Sequence, residues 1–550
     1  MNSSEKSNAI SPLRKIISAT VYLCMLMQVA AKAQSTTGAV AGTISLSTQQ
    51  RVKSPLDSNG FILVNQIQQW KPSETAIIIC DMWDQHWCKG ATARVGEMAP
   101  HLNEVIKKAR EQGMLIIHAP SSCLDYYKNH PARKLGLKYN SKKFEKKIDN
   151  SNLPSEANAK WPIDQSDEGC DEAIQCKVAS PWRKEIDALK IEEGDAISDS
   201  GAEMAALFEK KGIKNVILTG VHTNMCVIGR SFGLRSMVRL GKNVVLMRDM
   251  TDAMYNSRMA PKVNHFTGVS LVVEYIEKYV CPTIVSTDIL GGKQFRFSGD
   301  TRPLVAFITA EGEYRANQRL PEFADDLMLN QGVNCEFAIG KPAMDGPGRH
   351  NIENLQILED ADLAVIFVRR VALEPQKMEV IKKYVERGKP LLGIRTASHS
   401  FDAKGNVPRE GGGIGQSKES VDNLLTQWPE FDKDIIGGNY QGHYSQIKEP
   451  MKVEIIPGME QHPLLKNVPA NGFGSPSWLY KNKPLRSAND QVLLTGTIPG
   501  QAPEPVLWIN KTQFNNSVIY TSLGHWDDWK TEAFHTIMIN AVNYLLKKEN

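Results

Sequence analysis

Cys226 stands in the run NVILTGVHTNMCVIGRSFGLRSM, residues Asn215–Met237, where its setting suits a nucleophile. Val216-Ile217-Leu218 has the apolar character of a strand buried on both faces of a parallel sheet. Thr219-Gly220 breaks the strand, and a helical pattern is predicted to follow as far as Gly241. Cys226 then sits where the helix begins. There the first amide N–H groups lack internal partners and the helix dipole favours an anion, which biases a thiol toward thiolate. A thiol at neutral pH also needs a base or a cation beside it. Asp81 ends the apolar strand Ala76–Cys80, and His118 leaves the strand Met114–Ile117, so both also fall at strand ends.

The elements that must position these groups alternate along the chain. A helix whose apolar face is Leu102, Val105, Ile106 and Ala109 closes at Gly113; another carries Ala205, Leu207 and Phe208 and stops at Gly212; strand Val244–Met247 follows the cysteine helix. Strand–helix alternation predicts an α/β fold, a mainly parallel sheet with helices on both faces, in which ligands sit beyond the carboxyl ends of the strands. Ser121 to about Pro181 is too long for a plain connection and reads as an insertion covering the substrate. The pattern repeats from Leu304–Thr309 through Leu363–Phe367, helix Gln376–Arg387, strands Pro390–Ile394 and Val518–Leu523, and helix Phe534–Leu546. The expectation is two three-layer α/β/α domains, residues 71–285 and 302–548, with a linker at 286–301.

The 550 residues are too many for one core. A net charge of +4 leaves no electrostatic footprint for nucleic acid or an acidic membrane surface. At the N-terminus, Arg14-Lys15, the apolar stretch Ile16–Ala30 and Ala31-Lys32-Ala33 have the order of a secretory signal peptide, residues 1–33, cut before Gln34. The apolar run is short for a membrane span, so the mature chain is expected to be exported, free of the membrane and periplasmic in a diderm host. Residues 34–70, rich in Ser, Thr, Gln and Gly, read as a leader or linker. Export permits disulfides, with Cys170 and Cys176 the closest pair in sequence, and the lack of C-x-x-C argues against structural zinc.

Residues 71–285 resemble the isochorismatase-like cysteine hydrolases, a family that includes nicotinamidases. The likeness rests on Asp81 in AIIICDMWD and on the G-V-x-T-N-x-C-V signature Gly220–Val227. It implies an Asp–Lys–Cys triad, with Asp81 as base and Cys226 as nucleophile. It also implies a cis peptide at Val221–His222 or His222–Thr223, so that Val221, His222 and Thr223 shape an oxyanion hole with the Cys226 amide. The family's lysine run has no counterpart in IEEGDAISDSG, residues 191–201. Spacing to Cys226 singles out Lys184, with Arg183 and Lys190 as runners-up. His86, His118, Asp125 and His130 do not reproduce the D-x-H metal motif of some nicotinamidases; they read as polar pocket lining, and no metal or cofactor is expected. Trp83, Trp87, Tyr126 and Tyr127 are candidates for a pocket wall or for core.

Residues 302–548 resemble the ThuA-like family, associated with trehalose utilisation and related to class I glutamine amidotransferases. The segments that carry this are PLLGIRTASHSF (390–401), GGNYQGHY (437–444), QHPLLKNVP (461–469) and VIYTSLGHWDDW (518–529). Where amidotransferases place a nucleophilic cysteine, this chain has Arg395 and then Thr396, which excludes thiol chemistry at that turn. Arg395, His399, His443 and His525 are the candidates for a polar, sugar-related ligand, since arginine and histidine suit hydroxyl and anionic groups. The expected function is hydrolysis of a small amide-type C–N bond through a thioester, in a monomer or homo-oligomer. The alternatives are a ligand-binding protein without catalysis, and carbohydrate isomerase or lyase chemistry in the second domain.

Overall fold

The computed structural model of the chain describes residues 42–340, 350–403, 407–408, 414–415, 425–444 and 449–547. The expected signal segment, residues 1–33 with cleavage after Ala33, lies outside the described residues. The first sheet has eight strands: β1 (Ile44–Lys53), β2 (Phe61–Trp70), β3 (Thr75–Cys80), β4 (Leu115–Ala119), β5 (Ala196–Ile197), β6 (Asn215–Val221), β7 (Asn243–Asp252) and β8 (Thr283–Ile284), in the order β2-β1-β8-β7-β6-β3-β4-β5. β3 and β6 are buried at every position, as their unbroken apolar runs require of central parallel strands. Helices α1 (Lys89–Gln112), α2 (Gly201–Lys211), α3 (Leu234–Arg239) and α4 (His265–Tyr279) belong to the same half. α1 turns Val95, Met98, Leu102, Val105, Ile106 and Ala109 inward, a helical stripe that joins the core with Ile77, Ile79 and Ile217. Because β3 lies between β4 and β6, Cys80 pairs with both Ala119 and Gly220, and three strand ends open side by side.

The segment expected to be a leader is an antiparallel hairpin. β1 and β2 pair from Ile44↔Trp70 to Lys53↔Phe61, and Gln49 pairs with Thr283 of β8, so the hairpin extends the first sheet. Its buried face escapes an apolar pattern because it is largely polar. Gln49 Nε2 donates to Glu277 Oε1 at 2.9 Å, Thr48 Oγ1 donates to the Gln66 carbonyl at 2.9 Å, and Arg51 reaches Glu274 and Glu277. Arg51 also lies 3.7 Å from Asp325, and Leu63 packs into the second domain's core, so the hairpin touches both halves. The linker is likewise packed. Asp249 accepts from Ser286 N–H, Ser286 Oγ and Phe295 N–H, and Phe297 is buried against the first core.

The second sheet has ten strands. These are β9 (Leu304–Ala310), β10 (Asn334–Gly340), β11 (Ile352–Glu353), β12 (Leu363–Val368), β13 (Leu391–Ile394), β14 (Met451–Ile455), β15 (Phe473–Ser475), β16 (Gln491–Thr497), β17 (Glu504–Lys511) and β18 (Ser517–Thr521). Their order is β11-β10-β9-β12-β13-β18-β17-β16-β14-β15. β10 through β18 run parallel, and β17, β16, β14 and β15 add an antiparallel arm. Helices α5 (Ala316–Asn330), α6 (Pro375–Glu386) and α7 (Glu532–Leu545) cover it. Both domains are α/β, as the strand–helix alternation implies. No described helix is long and apolar enough to cross a membrane.

Candidate active site

β3 stops at Asp81, which turns the chain with φ 48° and is fully buried. Asp81 Oδ1 accepts the Ser121 N–H at 2.8 Å. Asp81 Oδ2 accepts from Arg230 Nε at 3.1 Å, with Arg230 Nη2 also at 3.1 Å. The Cys226 thiol lies near enough to the same carboxyl group to feel its charge. One carboxylate at the end of β3 thus meets a backbone amide from beyond β4 and a guanidinium and a thiol from beyond β6. Burial lifts the Asp81 carboxyl above its usual range, with Arg230 and Ser121 opposing. Burial, and then the Asp81 charge, push the Cys226 thiol up to about 12; Arg230 and the His222 backbone N–H on the sulfur pull the other way.

The helix predicted after Gly220 is shorter than its pattern suggests. Thr223–Val227 forms one wide π-type turn, and Gly233 separates it from α3. The turn is anchored by side chains that would compete with a regular helix. Thr223 Oγ1 meets Thr251 Oγ1 at 2.6 Å and donates to the Asp252 carbonyl, while Asn224 exchanges two hydrogen bonds with the Met254 backbone. Gly220, at φ 96°, lies so near β3 that a Cβ would sit 2.1 Å from the Cys80 carbonyl oxygen. The cis peptide falls at Val221–His222. Arg230 N–H donates to the Cys226 carbonyl at 2.9 Å, so the arginine stands one turn beyond the cysteine and on its side.

The cation on Asp81 is therefore Arg230, which the sequence reading missed although its i+4 spacing from Cys226 was available. Lys184 has another partner: its ammonium pairs with Asp187 at 2.6 Å, an i,i+3 pair, while its carbonyl accepts the Asp84 N–H. Lys190 Nζ donates to the Asp187 carbonyl, and Arg183 meets Asp84 through its backbone N–H. His118 is a buried ion-pair centre. Its Nδ1 is 2.6 Å from Glu185 and its Nε2 3.2 Å from Asp195, which also takes Arg110. Burial alone would depress the imidazole, but Glu185 and then Asp195 raise it to about 9.

A wall of flat rings borders the cysteine turn. Trp83 and Trp182 stack at 4.3 Å, His86 lies 5.7 Å from Trp182, and His86 meets His222 edge-on at 4.9 Å. Burial, and then Arg94, hold His86 down to about 4; burial, and then His86, hold His222 down to about 3. Both imidazoles are neutral, and His222 Nε2 is buried with no hydrogen-bond partner. Trp87 packs on His86, whereas Tyr126 and Tyr127 pair with each other, and Tyr127 OH accepts from Glu185 N–H. His130 accepts the Ala132 N–H and caps a short helix. Among the described residues no group of three or more His, Cys, Asp or Glu side chains is arranged so that it could hold a metal ion.

In the second domain Arg395 follows β13 with φ 44° and is fully buried. Its guanidinium lies between the faces of Tyr314 and Tyr480, 4.2 and 4.6 Å from the ring centres. Nη1 donates to the Ser522 carbonyl at 2.7 Å, and Nη2 to Tyr314 OH at 3.1 Å. His399 stacks on Tyr440 at 4.4 Å, and Tyr440 meets Tyr480 at a tilt of 54°, ring centres 4.6 Å apart. His525 sits 6.0 Å from Tyr314, its N–H held by Asp528. Three of the four expected residues thus share one tyrosine cluster. His443 is exposed, with its ring on Trp478 and Nδ1 at the Tyr444 carbonyl. Glu311, beyond β9, is buried on the N–H groups of Tyr314 and Ala316, and burial pushes it up to about 7.

A family model described as "Isochorismatase domain" matches residues 75–266, and one described as "Trehalose utilisation" (ThuA) matches residues 350–545. No curated protein matches the chain. Similar solved structures include a ThuA-like protein from Parabacteroides merdae, 13% identical over 45% of this chain and 91% of that one, TM-score 0.32. A cysteine hydrolase from Pseudomonas syringae pv. phaseolicola is 14% identical over 40% and 92%, TM-score 0.26. The pyrazinamidase of Pyrococcus horikoshii, in complex with zinc, is 17% identical over 38% and 99%, TM-score 0.23.

Proposed function

From a chain that joins an isochorismatase domain to a trehalose-utilisation (ThuA) domain, we propose an exported cysteine hydrolase that cleaves a small amide-type C–N bond through a thioester on Cys226. The observation that carries this is the buried Asp81 carboxylate, bonded to the Arg230 guanidinium and acting by its charge on the Cys226 thiol. At rest the sulfur is a thiol and Asp81 a carboxylate. As the sulfur attacks the amide carbon, the S–H proton passes to Asp81, so free thiolate never has to accumulate. Backbone N–H groups of the Val221–Thr223 turn and of Cys226 face the developing oxyanion. Collapse breaks the C–N bond, and Asp81 returns the proton to the leaving amine. Asp81 then draws a proton from water as the water oxygen attacks the thioester carbon; the C–S bond breaks, the acid leaves, and Asp81 passes the proton to the Cys226 sulfur. Arg230 keeps the carboxylate ionised between steps; being permanently charged, it trades no proton itself.

The neutral rings of His86 and His222 with Trp83 and Trp182 favour a flat, uncharged substrate over a charged one. In the second domain the tyrosine cluster supports a carbohydrate-related ligand, for which the rings offer apolar faces and His399 and His525 offer polar edges. Arg395 there is a pillar, its guanidinium packed between Tyr314 and Tyr480 and donating to the Ser522 carbonyl. Release of ammonia or amine from a panel of amides and ureides, wild type against Cys226→Ser, tests the hydrolase. Equal release by both, or none by either, would leave a ligand-binding protein. N-terminal sequencing of the secreted chain tests export; a chain retaining Met1 would refute cleavage after Ala33.

A further inference from the structure

We propose that Cys88 and Cys170 form a disulfide that fastens the 121–181 insertion beneath the candidate site. Cys88 caps the start of α1 and Cys170 lies in the insertion; they are 82 residues apart in sequence, both fully buried, and their sulfurs are 3.0 Å apart. Cys88 Sγ also lies 3.6 Å from Asp171 Oδ1. The backbone on each side is already fixed. Thr92 Oγ1 accepts the His86 N–H at 2.8 Å and donates to the Cys88 carbonyl at 3.1 Å. On the other side Asp171 pairs with Arg94 at 2.6 Å, and Gly169, at φ 71°, approaches the Met254 carbonyl so closely that a Cβ would stand 2.3 Å from its oxygen. Bond formation asks the two sulfurs to close from 3.0 Å to about 2.05 Å.

The pair is wrapped by Ala91, Met254, Trp87 and Met225, the last being the neighbour of Cys226. Cys176, expected from its spacing to pair with Cys170, borders the same cluster and is partly exposed. The bond would form during folding in an oxidising compartment, with a disulfide-exchanging oxidoreductase or oxidised glutathione as oxidant. One cysteine thiolate attacks the oxidant's disulfide and expels a thiolate. The second, once deprotonated, attacks the mixed disulfide and expels the other. Two protein thiols and one oxidant disulfide become one protein disulfide and two oxidant thiols. Closing so long a loop restricts the unfolded chain strongly.

The test uses the full chain purified from the periplasm of an expression host, denatured in N-ethylmaleimide without reductant, digested and mapped by mass spectrometry. The expected map shows a Cys88–Cys170 linked peptide that disappears on reduction, with maleimide on Cys176 and Cys226. Maleimide on both Cys88 and Cys170, or a link from either to Cys176, overturns the proposal. In a melting assay, reductant should lower the wild-type midpoint by about 10 °C. Cys176→Ser should keep that sensitivity and Cys170→Ser should lose it; a wild-type midpoint indifferent to reductant contradicts the bond even if Cys170→Ser fails to fold.

Discussion

Asp81 and Arg395 occupy equivalent places in the two halves, each just past a parallel strand, fully buried, at φ 48° and 44°. Their partners differ. Asp81 meets a thiol and a guanidinium whose side chain is 38% exposed, so the group opens toward solvent. Arg395 is closed between two tyrosine faces and a carbonyl. A strained, charged strand end is thus a place where chemistry can be built, and the surrounding side chains decide whether it is. In the first domain the buried charge faces a nucleophile and a partly exposed guanidinium. In the second, it props apart rings that line a cluster.

Substitutions should separate the two roles. Cys226→Ala should lower kcat/KM for amide hydrolysis by at least about 10⁴-fold with an unchanged melting point. Arg395→Ala should do the reverse, leaving that hydrolysis intact and destabilising the second domain by about 4 kcal/mol, read by chemical denaturation. If Arg395→Ala abolished amide hydrolysis at full stability, the contrast would fail. His118→Gln strips a buried cation from two carboxylates and should cost about 3 kcal/mol. Since the folded imidazole titrates near 9 against 6.5 unfolded, wild-type stability from this group is complete below pH 6.5 and lost as pH rises through 9; the variant should lack that slope. Arg230→Ala should lower kcat/KM on the order of 10²-fold. With the cation gone Asp81 protonates more easily, so the acid limb of the pH profile moves to higher pH, and Arg230→Lys should restore part of both. His443→Ala, at an exposed position, should shift stability by less than about 0.5 kcal/mol.

Much of this was legible in the residues. The apolar runs at Ile77–Cys80 and Val216–Leu218 are long enough and sharply enough broken to mark buried strands with Asp81 and Cys226 at or past their ends; that the two act together was implied by the resemblance to the isochorismatase-like hydrolases. The G-V-x-T-N-x-C-V signature carried the turn. Arg230 escapes a sequence reading because the family resemblance points to a lysine upstream, while the cation comes from one turn downstream on the cysteine's own segment. The hairpin 44–70 was missed because Thr48, Gln49 and Arg51 are buried through hydrogen bonds and ion pairs, which an apolar alternation does not reveal. Arg395 was placed at the right turn, but its tyrosine partners come from Tyr314 and Tyr480, far away in sequence, and no local pattern announces that enclosure. Cys88 and Cys170 likewise meet only through the fold.

The central claim, that Cys226 is an acylating nucleophile driven by Asp81 and Arg230, is tested most directly by rapid-quench intact-mass measurement with an amide substrate found in the panel. The account expects a transient adduct of acyl mass on the wild type, mapped to Cys226, absent in Cys226→Ala and slower to form in Arg230→Ala. Turnover without any such adduct on Cys226, or an adduct that persists in Cys226→Ala, would contradict it.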